Sequence, residues 1–240
     1  MAPHPALRNR DLSTVLKLHQ LLFRLANNRD SASISARLRR KRIRRCAALL
    51  RGTSREARIL DVGGTAEFWV NQRDELPANV KITLLNVAFD EQPDLPGVSY
   101  ITGDAREMEM FAHGEFDLCF SNSVIEHLGT MEEQLSMARE IRRVAQGYFV
   151  QTPNLYFPLE PHFLVFGWQF ASVALRARLL QQRDFGWMKR VEDPQQARAV
   201  IESIRLLSAR ELRSLFPDGQ IYRERVGPLT KSFVAWRPIQ

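Results

Sequence analysis

At 240 residues, with 45% apolar and 25% charged content, the chain suits a globular fold of one domain, or one domain with an appendage. No segment reaches the roughly 18 apolar residues of a membrane-spanning helix. Cys46 and Cys119 stand too far apart for a metal or redox spacing, and the first ten residues lack the apolar core of a signal peptide. A cytoplasmic protein with reduced cysteines is therefore expected. The net charge of +7 is local: residues 37–45 carry seven basic side chains and no acid, so the rest of the chain is formally neutral.

Residues 11–51 read as two helices. The first has a helical period in Leu12, Val15, Leu16, Leu18, Leu21, Leu22 and Leu25, and residues 27–33 form a polar break. The second contains the basic run and stops at Gly52. Ile34, Leu38, Ile43, Cys46, Ala47 and Leu50 give it a rough apolar stripe, so the basic residues read as a solvated helix face. Contact with nucleic acid or with an anionic membrane surface is the alternative use of such a run.

From Arg58 the pattern changes to strands alternating with helices, which implies a mostly parallel sheet. Strands are expected at 58–62, 81–87, 99–102, 116–121 and 147–151, with two more at 220–225 and 232–237. Helices are expected at 66–76, 106–111 and 130–145. Residues 152–205 form a long insertion between strands five and six, opening with a Pro- and aromatic-rich segment. Residues 163–175 read as a buried or interfacial helix and 194–204 as a polar one. Ser208 then starts a short helix as its N-cap, with Glu211 completing a capping box. Ligands of open parallel sheets bind at the carboxyl ends of the strands, so the insertion is placed to cover a substrate.

Chemistry concentrates at those strand ends. Residues 57–69 read A-R-I-L-D-V-G-G-T-A-E-F-W: a buried strand ending in Asp61, then Gly63, Gly64 and Thr65, then a helix. Glycines let the backbone turn tightly and approach a ligand. Next come Asn86 ending L-L-N-V, G-D-A at 103–105, S-N-S-V-I-E-H-L at 121–128 and T-P-N at 152–154.

In this order the five segments resemble the class I S-adenosylmethionine-dependent methyltransferases, over residues 56–240. The likeness is nearest the small-molecule branch that holds the type 11 and ubiquinone-biosynthesis enzymes. It implies an α/β, Rossmann-like, seven-stranded mostly parallel sheet flanked by helices. Residues 1–55 would form a helical extension, 56–240 the methyltransferase domain and 152–205 a substrate lid. S-adenosylmethionine would be the cofactor. Its methionine part would lie against Asp61, Gly63, Gly64 and Thr65, and its ribose against the end of strand two. Asp104 and Ala105 would meet the adenine, and Ser121 and Asn122 would lie near the sulfonium. Two positions depart from the family's form. The first loop lacks the later glycines of D-x-G-x-G-x-G, and Asn86 replaces the usual acid at the ribose, with Asp90 as an alternative.

Methyl transfer needs an aligned acceptor and a base near the sulfonium. His127, with Glu126, is the expected catalytic pair. Asn154, Glu160 and His162 are the expected acceptor-side residues. In ubiquinone-pathway O-methyltransferases a related E-x-x-E-H stretch binds a divalent metal; here Ser123 replaces the first acid, and no metal is expected. His113 reads as a loop residue. Strand four lacks the [DNS]-P-P-[YFW] of base amino-methylation, and no Pro-Cys serves cytosine C5 chemistry, which argues against nucleic acid. Aromatics at 156–170, with Phe185 and Trp187, read as lid core or as an apolar acceptor pocket. The expected activity is methylation, at oxygen, of a small or amphiphilic molecule, with peripheral membrane contact through the basic helix or aromatic lid left open. A non-catalytic binding protein of this fold, or an RNA methyltransferase using the basic helix, are the alternatives.

Overall fold

The computed structural model describes residues 33–50 and 56–239. The helix expected near residues 11–25 lies outside them. Helix α1 spans Ile34–Leu49, capped by Ser33, whose Oγ accepts from the Ala36 amide. Of the expected stripe, Ile43, Cys46, Ala47 and Leu50 are buried and Leu38 is partly buried; Ala36 is buried beside them. The basic run does not simply face water. Arg42 is buried, and Arg39 lies over Phe68 with its guanidinium carbon 5.2 Å from the ring centre. Arg44 pairs with Glu75, and Arg45 stacks 3.6 Å over Tyr222.

Strand β1 (Ala57–Val62) leads into a short helix α2 (Ala66–Val70) and a 3-10 turn at Arg73–Glu75, where one helix over 66–76 was expected. Strands β2 (Val80–Asn86), β3 (Val98–Thr102), β4 (Phe116–Asn122) and β5 (Ala145–Pro153) follow, with α3 (Met131–Val144) before β5. Thr130 and Glu133 close a capping box on α3, and Glu132 and Arg142 at opposite ends suit its dipole. In the insertion β6 (Leu159–Glu160) and β7 (Val165–Phe166) form a small hairpin, then α4 (Val173–Leu180) and α5 (Pro194–Glu202) follow. Helix α6 (Ala209–Leu215) carries the expected Ser208–Glu211 box, and β8 (Gln220–Val226) and β9 (Leu229–Arg237) close the sheet.

The sheet order is β3-β2-β1-β4-β5-β9-β8, with β1 to β5 parallel and β9 antiparallel to β5. The chain runs outward one way through β2 and β3, then returns to the other side of β1 for β4. That reversal opens a crevice beyond the ends of β1 and β4. One face of the sheet packs Leu60, Leu85 and Val150 under α3 and α6; the other packs Ile59, Ile82 and Phe120 with α1 and Trp69 of α2. The insertion holds its own cluster, with Phe163, Trp168, Leu180, Phe185 and Ile201. Three of its aromatics, Phe163, Trp168 and Phe185, are core of the insertion, while Tyr156, Phe166, Phe170 and Trp187 stay exposed.

Two expected helices do not form as read. Residues 106–111 are a turn, because side chains take the amides a helix would use: Asp104 Oδ1 accepts from Arg106 N, and Glu140 Oε2 from Met108 N. In 163–175 the backbone turns left-handed at Leu164 and Gly167, which the hairpin requires and a helix forbids. Helix formation is delayed to the Ser172 cap of α4.

Candidate active site

The first loop leaves the sheet at Asp61, a strand-end acid that is nearly fully buried. Trp69 Nε1 donates to its Oδ2 at 2.6 Å, and burial pushes the carboxyl up to about 7 against that bond. Gly63 is left-handed at φ +77°, and its amide donates to Leu85 O at 2.7 Å. A Cβ there would sit 2.4 Å from Val124, and one on Gly64 would sit 2.1 Å from Asp61 Oδ2. Two glycines thus suffice for this turn, because Val124 and Asp61 fill the space that side chains would need. Beside the loop lies a cavity of about 640 Å³, lined by Asp61, Gly63, Gly64, Thr65, Phe68 and Asn122, with Arg39 and Arg40 entering from α1.

A second cavity of about 600 Å³ shares Gly63 and runs over the ends of β2 and β3. Asn86, Asp104 and Ala105 line it as expected. Their polar atoms are partly occupied. Asn86 Oδ1 accepts from Val87 N, and its Nδ2 donates to Gly64 O at 3.3 Å, tying the two loops together. The Asp104 carboxylate is gripped by Arg106 at 2.6 to 3.0 Å, and Arg106 also pairs with Glu133. The Arg106 hydrogen bonds hold Asp104 below the usual carboxylate range. Asp90 lines a neighbouring cavity beside Asn86 and Thr65.

At the end of β4 the expected pair separates. Ser121 is fully buried and its Oγ donates to Val62 O, so it stitches β1 to β4 instead of facing a cavity. Strand alternation sends neighbouring side chains to opposite faces, and here Asn122 is the one that faces the cleft. Its Oδ1 accepts from Arg42 Nη1 at 2.8 Å. Ser123 follows in a left-handed conformation, φ 58°, with its hydroxyl donating to Gln151 Oε1.

A third cavity of about 370 Å³ adjoins the first, sharing Asn122 and Arg39. Glu126, His127, Asn154 and His162 line it, with Phe157, Trp187 and Lys231. The His127 and His162 rings meet edge to face, centres 4.9 Å apart. Burial and the neighbouring His162 push His127 down to about 4. His162 Nδ1 lies 2.6 Å from Glu160 Oε1, while Glu160 Oε2 accepts the amides of His162 and Phe163. Burial opposes charge on His162, but the Glu160 bond and the charges of Glu160 and Glu126 hold it above the usual imidazole value. Glu126 is fully buried, and burial raises its carboxyl. Its Oε2 accepts from Thr152 while its Oε1 has no partner. One donor atom each of Glu126, His127 and His162 lie within 4.8 Å of one another, so the insertion supplies a third donor where Ser123 replaced a carboxylate. Asn154 is spent on structure: its amide donates to Thr230 O and accepts from Tyr156 N.

The sequence missed four contributors to this crevice: Trp69, Arg39, Arg42 and Lys231. The signal for the arginines was present. Arg39 and Arg42 sit three apart beside the apolar stripe of α1, on the side that packs against the sheet.

A family model described as a methyltransferase domain matches residues 77–150, which hold β2 to β5 and the Glu126–His127 turn. Residues 77–150 thus resemble a methyltransferase domain, and the sheet that contains them has the fold of that class. No curated protein matches it by sequence. Among solved structures it resembles an O-methyltransferase family protein from Burkholderia thailandensis, with a TM-score of 0.50 and 9% identity over 84% of this chain and 56% of that one. It also resembles the trans-methyltransferase CalH in complex with S-adenosylhomocysteine, with a TM-score of 0.51 and 11% identity over 88% and 61%. A possible exported protein from Bordetella parapertussis gives a TM-score of 0.50 and 11% identity over 92% and 79%. At such identities the likeness is one of fold. The chain spans 56% of the Burkholderia protein and 61% of CalH. S-adenosylmethionine is the cofactor of the domain. The glycine loop that no Cβ could enter and the buried strand-end acid fit its methionine part, and the elongated crevice leaves room for its nucleoside. Among the described residues, no helix of the methyltransferase domain is long and apolar enough to cross a membrane.

Proposed function

We propose that the chain methylates a hydroxyl of a small or amphiphilic acceptor held in the cavity beneath the insertion. The observation that carries this is the junction at Asn122, where the cleft beside the glycine loop meets a separate cavity lined by His162, whose Nδ1 is held by Glu160. Bound S-adenosylmethionine would supply an electrophilic methyl group at that junction. Asp61 and the Gly63–Gly64 turn would hold the amino-acid end, and Asn86 and Ala105 would border the nucleoside. Asp104 would serve by fixing Arg106 rather than by a free carboxylate.

The residues of the third cavity would receive the acceptor and its proton. His162 is the stronger base, because Glu160 orients its ring at Nδ1 and supports positive charge, leaving Nε2 to take the hydroxyl proton. His127 is neutral at pH 7 and weakly basic, so it would pack against the acceptor and position His162. Phe157 and Trp187 give the cavity an apolar wall, and the insertion excludes water. Turnover is tested by following S-adenosylhomocysteine release with a panel of phenols and alcohols. His162→Ala should cost about 10²- to 10⁴-fold in kcat, the range of a positioned base. No S-adenosylhomocysteine binding by wild-type protein in calorimetry would remove the proposal altogether.

A further inference from the structure

The basic run is the sequence feature that the proposed reaction leaves unused. Most of its arginines that face the domain already have partners. Arg42 donates to Glu224 and to Asn122, Arg44 to Glu75, and Arg45 covers Tyr222. Arg40 has interactions of its own. Arg39 differs. Its guanidinium rests on the Phe68 ring, its Nε is buried without a hydrogen-bond partner, and it lines the same cavity as Asp61, Gly63 and Gly64. Burial and the adjacent Arg42 disfavour its charge, and the nearby carboxylate that favours it is Glu67. A desolvated guanidinium without an acceptor is costly unless an anion completes it.

The cavity thus presents a buried acid from β1 and, from α1, a half-buried guanidinium with one buried N–H unpartnered, the charge complement of an α-amino acid zwitterion. We infer that Arg39 clamps the α-carboxylate of the cofactor while Asp61 faces its ammonium, so that α1 forms a wall of the cofactor site. The inference rests on the cofactor reading above. It also gives the short glycine loop a physical sense. A planar guanidinium supplies a pair of donors to a carboxylate, replacing amides that a longer glycine turn would present.

The test is calorimetry with three ligands. S-adenosylhomocysteine carries the whole amino acid, its methyl ester lacks the negative charge, and 5′-methylthioadenosine lacks the amino acid entirely. Wild-type protein should bind the ester at least about tenfold more weakly than the free acid, as expected for a lost charge-assisted pair. Arg39→Ala should weaken S-adenosylhomocysteine by a similar factor and leave 5′-methylthioadenosine within about twofold, while no longer distinguishing acid from ester. Arg39→Lys should fall between. Unchanged S-adenosylhomocysteine affinity in Arg39→Ala overturns the clamp, and so does equal weakening of both nucleosides. The acid-to-ester comparison in wild-type protein needs no variant to fold, and equal affinities there overturn the clamp as well. Binding of neither nucleoside by wild-type protein overturns the cofactor reading, and the clamp with it.

Discussion

Asp61 sits where two demands on one carboxyl conflict. Burial raises it to about 7, so near neutral pH it is partly protonated, yet pairing with an ammonium needs the anion. Affinity for S-adenosylhomocysteine should therefore rise as pH increases through about 7, and the rise should vanish in Asp61→Asn; calorimetry at pH 6, 7 and 8 reads this directly. Stability should move the opposite way. The folded carboxyl holds its proton above the unfolded value near 3.8, so this group's contribution to ligand-free stability is fully present below that value and is lost as pH rises through about 7. Gly63 is a second single-residue test. Its φ of +77° and a Cβ contact of 2.4 Å with Val124 mean that Gly63→Ala should lose at least about 1 to 2 kcal/mol in urea unfolding. The turn itself was legible in the sequence, because paired glycines after an apolar run mark a tight turn at a strand end. Ser121 was not, since spacing alone does not tell which of two adjacent strand-end residues faces the ligand.

Elements were legible where their own residues decide them. The parallel strands read as apolar runs, the capping box formed at the expected Ser208–Glu211, and the structure adds a second box at Thr130–Glu133. Thr130→Ala should cost about 1 kcal/mol, seen as a melting temperature lower by about 2 to 4 °C. Elements were misread where a distant partner decides. Residues 106–111 have helical composition, but Glu140 takes the Met108 amide and Arg143 the carbonyls of Met108 and Phe111. The helix α1 shows the same limit from the other side. Its sequence reads as a basic surface, whereas Arg42 is sunk into a pair with Glu224, the two being 7% and 2% exposed. Removing one side of such a pair strands a buried charge, so Arg42→Ala should destabilise the protein by about 3 kcal/mol or more, measured by urea unfolding. Replacing both, as Arg42→Met with Glu224→Leu, should recover most of that loss.

At the scale of the molecule, the sheet reversal, the glycine loop and the insertion converge on one crevice, and its two halves differ in origin. The half proposed for the nucleoside is built from successive strand ends, which a sequence displays in order. The acceptor half depends on His162 and Glu160 returning from the insertion to meet Glu126 and His127, a meeting that no local pattern announces. A ligand that fills the first half stabilises the whole fold by mass action. S-adenosylhomocysteine at about 100 times its Kd should add about 2.7 kcal/mol, a rise of about 5 to 10 °C in melting temperature by differential scanning fluorimetry. The Arg42–Glu224 pair joins residues 182 positions apart, bringing the first described helix onto the next-to-last strand. Arg39 lies one helical turn from that latch, over Phe68. Arg39 precedes Glu224 in the chain, so α1 cannot be latched beside the cleft until β8 has joined the sheet. A fragment ending before β8 would keep the glycine loop and lose the Arg42–Glu224 latch, so it should bind S-adenosylhomocysteine more weakly than the 240-residue chain.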